Sequence, residues 1–177
     1  MFISISIHFV NFSLIILNHL LEDGNTLFRK NLLKEASQKY KTAIKKLPKE
    51  VEQDWRQHFY QLRIHLLLNL SRCERRLGHQ VEAISHASSA IVSNPKCVDA
   101  FLARAKAYKA SGCLGEALKD YSSALCLVPT NKSIYLTFLK LREEMKMKSQ
   151  SNKNAFCLGS ADSIAYIDDT STNCSSI

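Results

Sequence analysis

The residues in this chain best suited to bind something are cations gathered at short spacing. Arg72, Arg75 and Arg76 fall within five positions, Lys106 and Lys109 follow downstream, and Arg29 precedes them. A guanidinium fork holds a carboxylate through two parallel hydrogen bonds, so cations sharing one face suit an acidic or phosphorylated segment. With Asn25, Phe28, His65 and Asn69, these residues form the candidate binding set. The plainer reading, that these cations are a solvated face, stays open beside it.

Catalysis finds no footing. The chain has no phosphate-cradling glycine loop, no dinucleotide fingerprint, no H-E-x-x-H and no nucleophile elbow. His58 and His65, like His79 and His86, are seven apart, whereas a metal pair on a helix needs three or four. The cysteines Cys73, Cys97, Cys113, Cys126, Cys157 and Cys174 make no C-x-x-C pair and read as reduced thiols. A non-enzyme without cofactor or metal is expected.

The 177 residues suffice for one domain, and 5 Gly with 3 Pro leave too little turn chemistry for a many-stranded sheet. The net charge is +8, and it is uneven. Residues 22–147 hold 22 bases and 13 acids, while the last thirty hold 2 and 3. The folded part therefore attracts anions.

An internal repeat supplies the elements that position the cations. Leu20, Gly24, Leu27, Ala36, Tyr40, Ala43 and Pro48 align with Leu67, Leu70, Gly78, Ala83, Ala87, Ala90 and Pro95. A third set is Phe101, Ala105, Tyr108, Gly112, Ala117, Tyr121, Ala124 and Pro129. The prolines lie 47 and then 34 apart, which leaves 13 extra residues around Lys49–Gln61. Small residues allow two helix backbones to approach, glycine turns the chain after a first helix, and proline stops the second. Such a hairpin cannot bury its apolar face alone, so hairpins must stack.

This spacing is that of the tetratricopeptide repeat (TPR), and the chain resembles that family. The expected fold is all-α: a TPR-type right-handed α-solenoid of three helix-turn-helix repeats plus a C-terminal capping helix. The expected order is an apolar N-terminal extension at 1–20, repeats at 21–48, 64–97 and 98–131, an insertion at 49–63 that lengthens the second repeat's first helix, a capping helix at 132–148, and a disordered tail at 149–177. In helices the expectation is 14–31, 33–47, 51 or 52–77, 79–93, 97–110, 114–127 and 131–146. In the last helix, Ile134, Leu136, Phe138, Leu139 and Leu141 face inward. Ser71 and Glu74 depart from the pattern, which places small and aromatic residues there.

A closer resemblance is carried by EDGNTLFRKNLLKEASQKYKTAIKKLPKE, LLLNLSRCERRLG, DAFLARAKAY and ALCLVPTNKS. From about Leu21 to Lys148 the chain is similar to the TPR region of the TANC / rolling pebbles scaffold family. The resemblance implies a non-catalytic module of large scaffolds that organise signalling complexes at the cell cortex. Upstream, such scaffolds carry a nucleotide-binding-like region and ankyrin repeats. The implied location is cytoplasmic, at the cortex or a membrane.

In TPR proteins the first helix of each repeat lines the inner groove. The residues there are Asn18, Leu21, Asn25, Phe28 and Arg29; His65, Leu68, Arg72, Arg75 and Arg76; and Asp99, Leu102, Lys106, Lys109 and Ala110. Six cations against one acid favour an acidic peptide. The clamp that holds the C-terminal carboxylates of Hsp70 and Hsp90 resembles two Asn and three cations at set positions. Asn25 and Asn69 match, but Leu21, Asp99 and Ala103 replace the cations, so a co-chaperone adaptor is disfavoured.

Other readings concern the ends and the outer face. Residues 1–21 lack any charged side chain and read as a locally packed extension, a membrane-associated helix or an export signal. The alternative function is therefore a membrane-tethered TPR receptor anchored by residues 1–21. Lys30, Lys34, Lys39, Lys41, Lys45, Lys46 and Lys49 oppose Glu35 alone and would meet anionic lipid or RNA, or only water. Without interleaved aromatic residues, nucleic acid is not the expected partner. Ser175-Ser176-Ile177 fits a loose PDZ-ligand pattern.

Overall fold

A computed structural model describes residues 2–161, with side chains at Val10 and from Phe12 to Gln150. Seven helices follow in order: α1 (Phe2–Arg29), α2 (Leu33–Lys46), α3 (Gln53–Leu77), α4 (Gln80–Ser93), α5 (Val98–Ala110), α6 (Leu114–Leu127) and α7 (Lys132–Ala161). No strand occurs among the described residues. The chain divides into two compact units, Met1–Phe138 and Leu139–Ile177.

In the first unit α1 packs on α2, α3 on α4 and α5 on α6, and each hairpin packs on the next. The first helices also touch one another, α1 against α3 and α3 against α5. Among the described residues, no two second helices bring their backbones as close. The stack is therefore tighter on the α1–α3–α5 side, and that layer lines the inside of its curve. This is the expected all-α TPR solenoid.

The hairpin turns explain the spacing read from the sequence. Asn31 (φ 62°), Gly78 (φ 87°) and Gly112 (φ 80°) each adopt the left-handed conformation just after a first helix. One residue later a backbone N–H reaches back five positions: Leu32 to Leu27, His79 to Glu74 and Cys113 to Tyr108, at 2.9–3.0 Å. This bond closes the helix end by giving an otherwise orphaned carbonyl a partner. The three turns repeat the 47- and 34-residue offsets of the prolines. In the first repeat Asn31 does the work of glycine, since asparagine tolerates this conformation better than most residues.

Packing follows the small residues. Ala36, Ala43, Ala83, Ala87, Ala90, Ala105, Ala117 and Ala124 are fully buried. Gly24 lies against the buried Tyr40 ring, where an added Cβ would stand 2.5 Å from Cε1. A first core gathers Leu17, Tyr40, Phe59, Leu62, Leu66 and Leu70, and a second gathers Ile64, Leu67, Leu68, Ala100 and Ala103.

Two polar networks join successive elements. Glu74, on α3, is buried and accepts hydrogen bonds from Ser37 Oγ (2.8 Å) and Lys41 Nζ (2.7 Å) of α2, and His79 Nδ1 lies 2.7 Å away. Burial pushes this carboxyl toward the neutral form, but the bonds from Lys41, His79 and Ser37 outweigh it and hold the pKa down at about 2. Farther along, Arg104 of α5 forks onto Asp120 of α6 at 2.8 and 2.7 Å and donates to Ser88 of α4 at 3.2 Å. Ser71 donates to the Ala83 carbonyl at 2.8 Å. The two departures from the repeat pattern, Ser71 and Glu74, are thus both buried and satisfied.

Several expectations are corrected. Helix α1 starts within the 1–20 segment rather than at Leu14, and Val10, Leu14 and Leu17 pack toward the first core. Among the described residues no helix is long and apolar enough to cross a membrane. Helix α7 runs through Ala161, so residues 149–161 of the expected tail are helical. Ile134 and Leu141 are buried, whereas Leu136 is exposed rather than inward. Lys39 pairs with Asp23 and Lys41 with Glu74, which removes two lysines from the open basic surface. Cys73, Cys97, Cys113 and Cys126 are free, while Cys174 and the PDZ-like terminus lie outside the described residues.

Two substitutions of one kind should move stability in opposite directions. Gly24→Ala meets the fixed Tyr40 ring and should destabilise by about 1–3 kcal/mol despite alanine's better helix propensity. Gly115→Ala, in open space on α6, should be neutral or stabilise by up to about 1 kcal/mol. Urea titration of both variants measures the two signs.

Acid titration reads the Glu74 network. The stability given by its ionised carboxyl is complete above about pH 4.5 and is lost as pH falls toward about 2. Glu74→Gln should therefore lower Tm at pH 6 and flatten the fall in Tm between pH 4.5 and 2.5, as followed by calorimetry.

Candidate peptide groove on the inner helix layer

The groove residues come from α1, α3 and α5, the three helices that touch along the inside of the curve. At the first junction Asn25 Oδ1 accepts from Tyr40 Oη at 2.8 Å and from Asn69 Nδ2 at 3.0 Å. The Tyr40 hydroxyl is pushed up to about 12, chiefly by burial, so it remains a donor at neutral pH. The two asparagines that match the carboxylate clamp are therefore bonded to each other. Asn25 Nδ2 also reaches Glu22 Oε1 at 3.4 Å.

Of the candidate cations, Arg72 stands at this junction. Arg72 Nη1 is 3.4 Å from Asn69 Oδ1. Arg76 is held from two sides: its guanidinium lies 4.9 Å from the Phe28 ring centroid, and Nη2 donates to Asn31 Oδ1 at 2.8 Å. Arg29 donates to Thr26 at 3.1 Å. Burial pushes the Tyr121 hydroxyl up, and the charges of Lys109 and Arg75 act against that push. His65 and Lys106 are exposed on α3 and α5. Among the described residues Arg29, Arg72, Arg75, Arg76 and Lys106 take part in no ion pair.

The structure thus joins Asn25 with Asn69 and Arg72, and Phe28 with Arg76. Sequence reasoning missed two members of this surface. Glu22 lies one helical turn before Asn25 and adds an acid at that junction. Asn31 orients Arg76, and only its place at the helix end, where a glycine stands in the other repeats, hinted at it. The clamp positions have lost their cations in a definite way: Leu21 packs toward the first core, Ala103 is buried in the second, and Asp99 is an exposed acid. No cluster of His, Cys, Asp or Glu among the described residues is arranged to hold a metal ion.

No protein-family model matches the chain. Among curated proteins it is 27% identical over 138 residues to the peptidyl-prolyl cis-trans isomerase FKBP42 of Arabidopsis thaliana. It is 28% identical over 140 residues to the aryl-hydrocarbon-interacting protein-like 1 of Saimiri boliviensis boliviensis. Each alignment covers 76% of this chain, which spans 38% of each relative's length. Among solved structures, the C-terminal TPR-containing domain of a Plasmodium falciparum FK506-binding protein superposes with a TM-score of 0.68 at 26% identity, over 78% of this chain and 93% of that one. The first TPR of Spaghetti (RPAP3), bound to an HSP90 peptide, gives 0.62 at 25% identity, over 74% and 96%. The architecture of this chain is that of a TPR domain, a protein-interaction fold.

Proposed function

We propose that the chain is a non-catalytic protein-interaction module whose inner groove binds an acidic peptide. One observation carries the reading. Lys39, Lys41 and Arg104 are matched by carboxylates of the chain itself, while among the described residues Arg29, Arg72, Arg75, Arg76 and Lys106, gathered on α1, α3 and α5, take part in no ion pair. Those five positive charges gain most from an acidic guest, and Phe28 and Asn31 already hold one of them in place.

A terminal-carboxylate clamp is the second reading, favoured by Asn25 and Asn69 and by the HSP90 peptide bound to the RPAP3 neighbour. Leu21, Asp99 and Ala103 oppose it, because each missing charge-assisted bond forgoes roughly 1.5–3 kcal/mol. The proposed guest is therefore recognised through its side chains. Placing the module in a TANC-like scaffold rests on the four stretches that carry the resemblance, with NLSR and CLVPTN their more specific parts.

A labelled peptide Glu-Glu-Leu-Glu-Glu, prepared as the amide and as the free acid, tests this. Both forms should bind alike, and Arg72→Glu with Arg76→Glu should weaken both by at least about 100-fold, with far-UV circular dichroism unchanged. Equal binding by the variant overturns the groove. Binding of the free acid alone supports the clamp instead.

A further inference from the structure

The 13 residues that break the repeat spacing build a second surface. Helix α3 has 25 residues where α5 has 13, and α1 has 28. Twelve added residues lengthen a helix by about 18 Å. Helices α1 and α3 run in the same direction on either side of α2, so both overhang at one end, bridged by the 47–52 connector. Between them lies a cleft of about 850 Å³.

Its α3 wall presents Arg56, Tyr60 and Arg63, and Phe59 and Val51 give it an apolar floor. Residues four and three apart on a helix share one face, so the tyrosine stands between two cations. All three are exposed, Tyr60 at 38%. Among the described residues neither arginine takes part in an ion pair. Lys49, Glu50 and Glu52 line the connector side, so the α3 wall carries cations without an acid among its lining residues.

We propose that this cleft is a peptide-binding site, separate from the inner groove, for an extended proline-containing segment with acids three residues apart. The two arginines are seven residues apart, a rise of about 10 Å. A polyproline II segment rises about 9 Å in three residues and brings residues i and i+3 to the same side. Two carboxylates at that spacing meet both forks, and a proline between them stacks on Tyr60, the kind of contact that aromatic-lined grooves make with such segments.

The probe is a labelled peptide Glu-Pro-Leu-Glu-Pro-Leu-Glu, titrated calorimetrically into the full chain. Arg56→Glu with Arg63→Glu should weaken binding at one site by at least about tenfold, while Arg72→Glu with Arg76→Glu leaves that site intact. The lysine-for-glutamate peptide should not bind. If the charge reversal lowers Tm, Arg56→Gln with Arg63→Gln repeats the test at lower cost to the fold. Binding unchanged in the Arg56/Arg63 variants overturns the cleft without bearing on the groove, and binding lost only in the Arg72/Arg76 variant overturns the cleft and assigns the peptide to the groove. Pelleting with vesicles containing a phosphoinositide, dependent on Arg56 and Arg63 and without peptide binding, also overturns it and makes the site one for lipid headgroups. If the inner groove binds nothing, a single site lost with Arg56 and Arg63 still upholds the cleft.

Discussion

Tyr40 sits where three helices must agree. Its ring fills the space that Gly24 leaves on α1, and its hydroxyl is fixed on Asn25, which in turn receives the amide of Asn69 on α3. A hairpin of this length has no core of its own, so the first repeat is defined only once this contact ties it to the second. The same bonds set the limits of the groove. With its carbonyl turned inward, Asn25 serves the scaffold first, and a guest meets chiefly the arginines around it.

Beyond that junction the chain joins its repeats through charge as well as apolar packing. Glu74 stands where the repeat pattern places an aromatic residue, and it draws Ser37, Lys41 and His79 onto one buried carboxylate. Arg104 does the corresponding work between α4, α5 and α6. Buried ionic groups are weak contributors to net stability but costly to leave unpaired, so they discriminate against slipped arrangements of the hairpins. They also separate the cations that hold the fold from those left available to a partner.

The repeat was legible because its marks are local. Proline after a second helix, glycine or a substitute after a first, and alanine at the crossings each follow from backbone geometry within a few residues. Helix α6 appears at the bounds its pattern predicts, and α2 to α5 fall within two residues of theirs. What stayed hidden depends on residues remote in sequence or on composition without a pattern. Nothing near Glu74 announces Ser37, and nothing near Asn31 announces Arg76. The start of α1 and the far part of α7 carry Ser and Asn at high density with no clear stripe, so neither propensity nor periodicity marks them as helix.

The added turns of α3 all lie on its N-terminal side, away from the Gly78 turn that sets how α4 folds back. Growth at that end leaves hairpin geometry untouched. A repeat array can therefore acquire, by simple lengthening of one rod, a new recognition wall whose sequence drifts independently of the older one, and two partners can be accommodated without either constraining the other's residues.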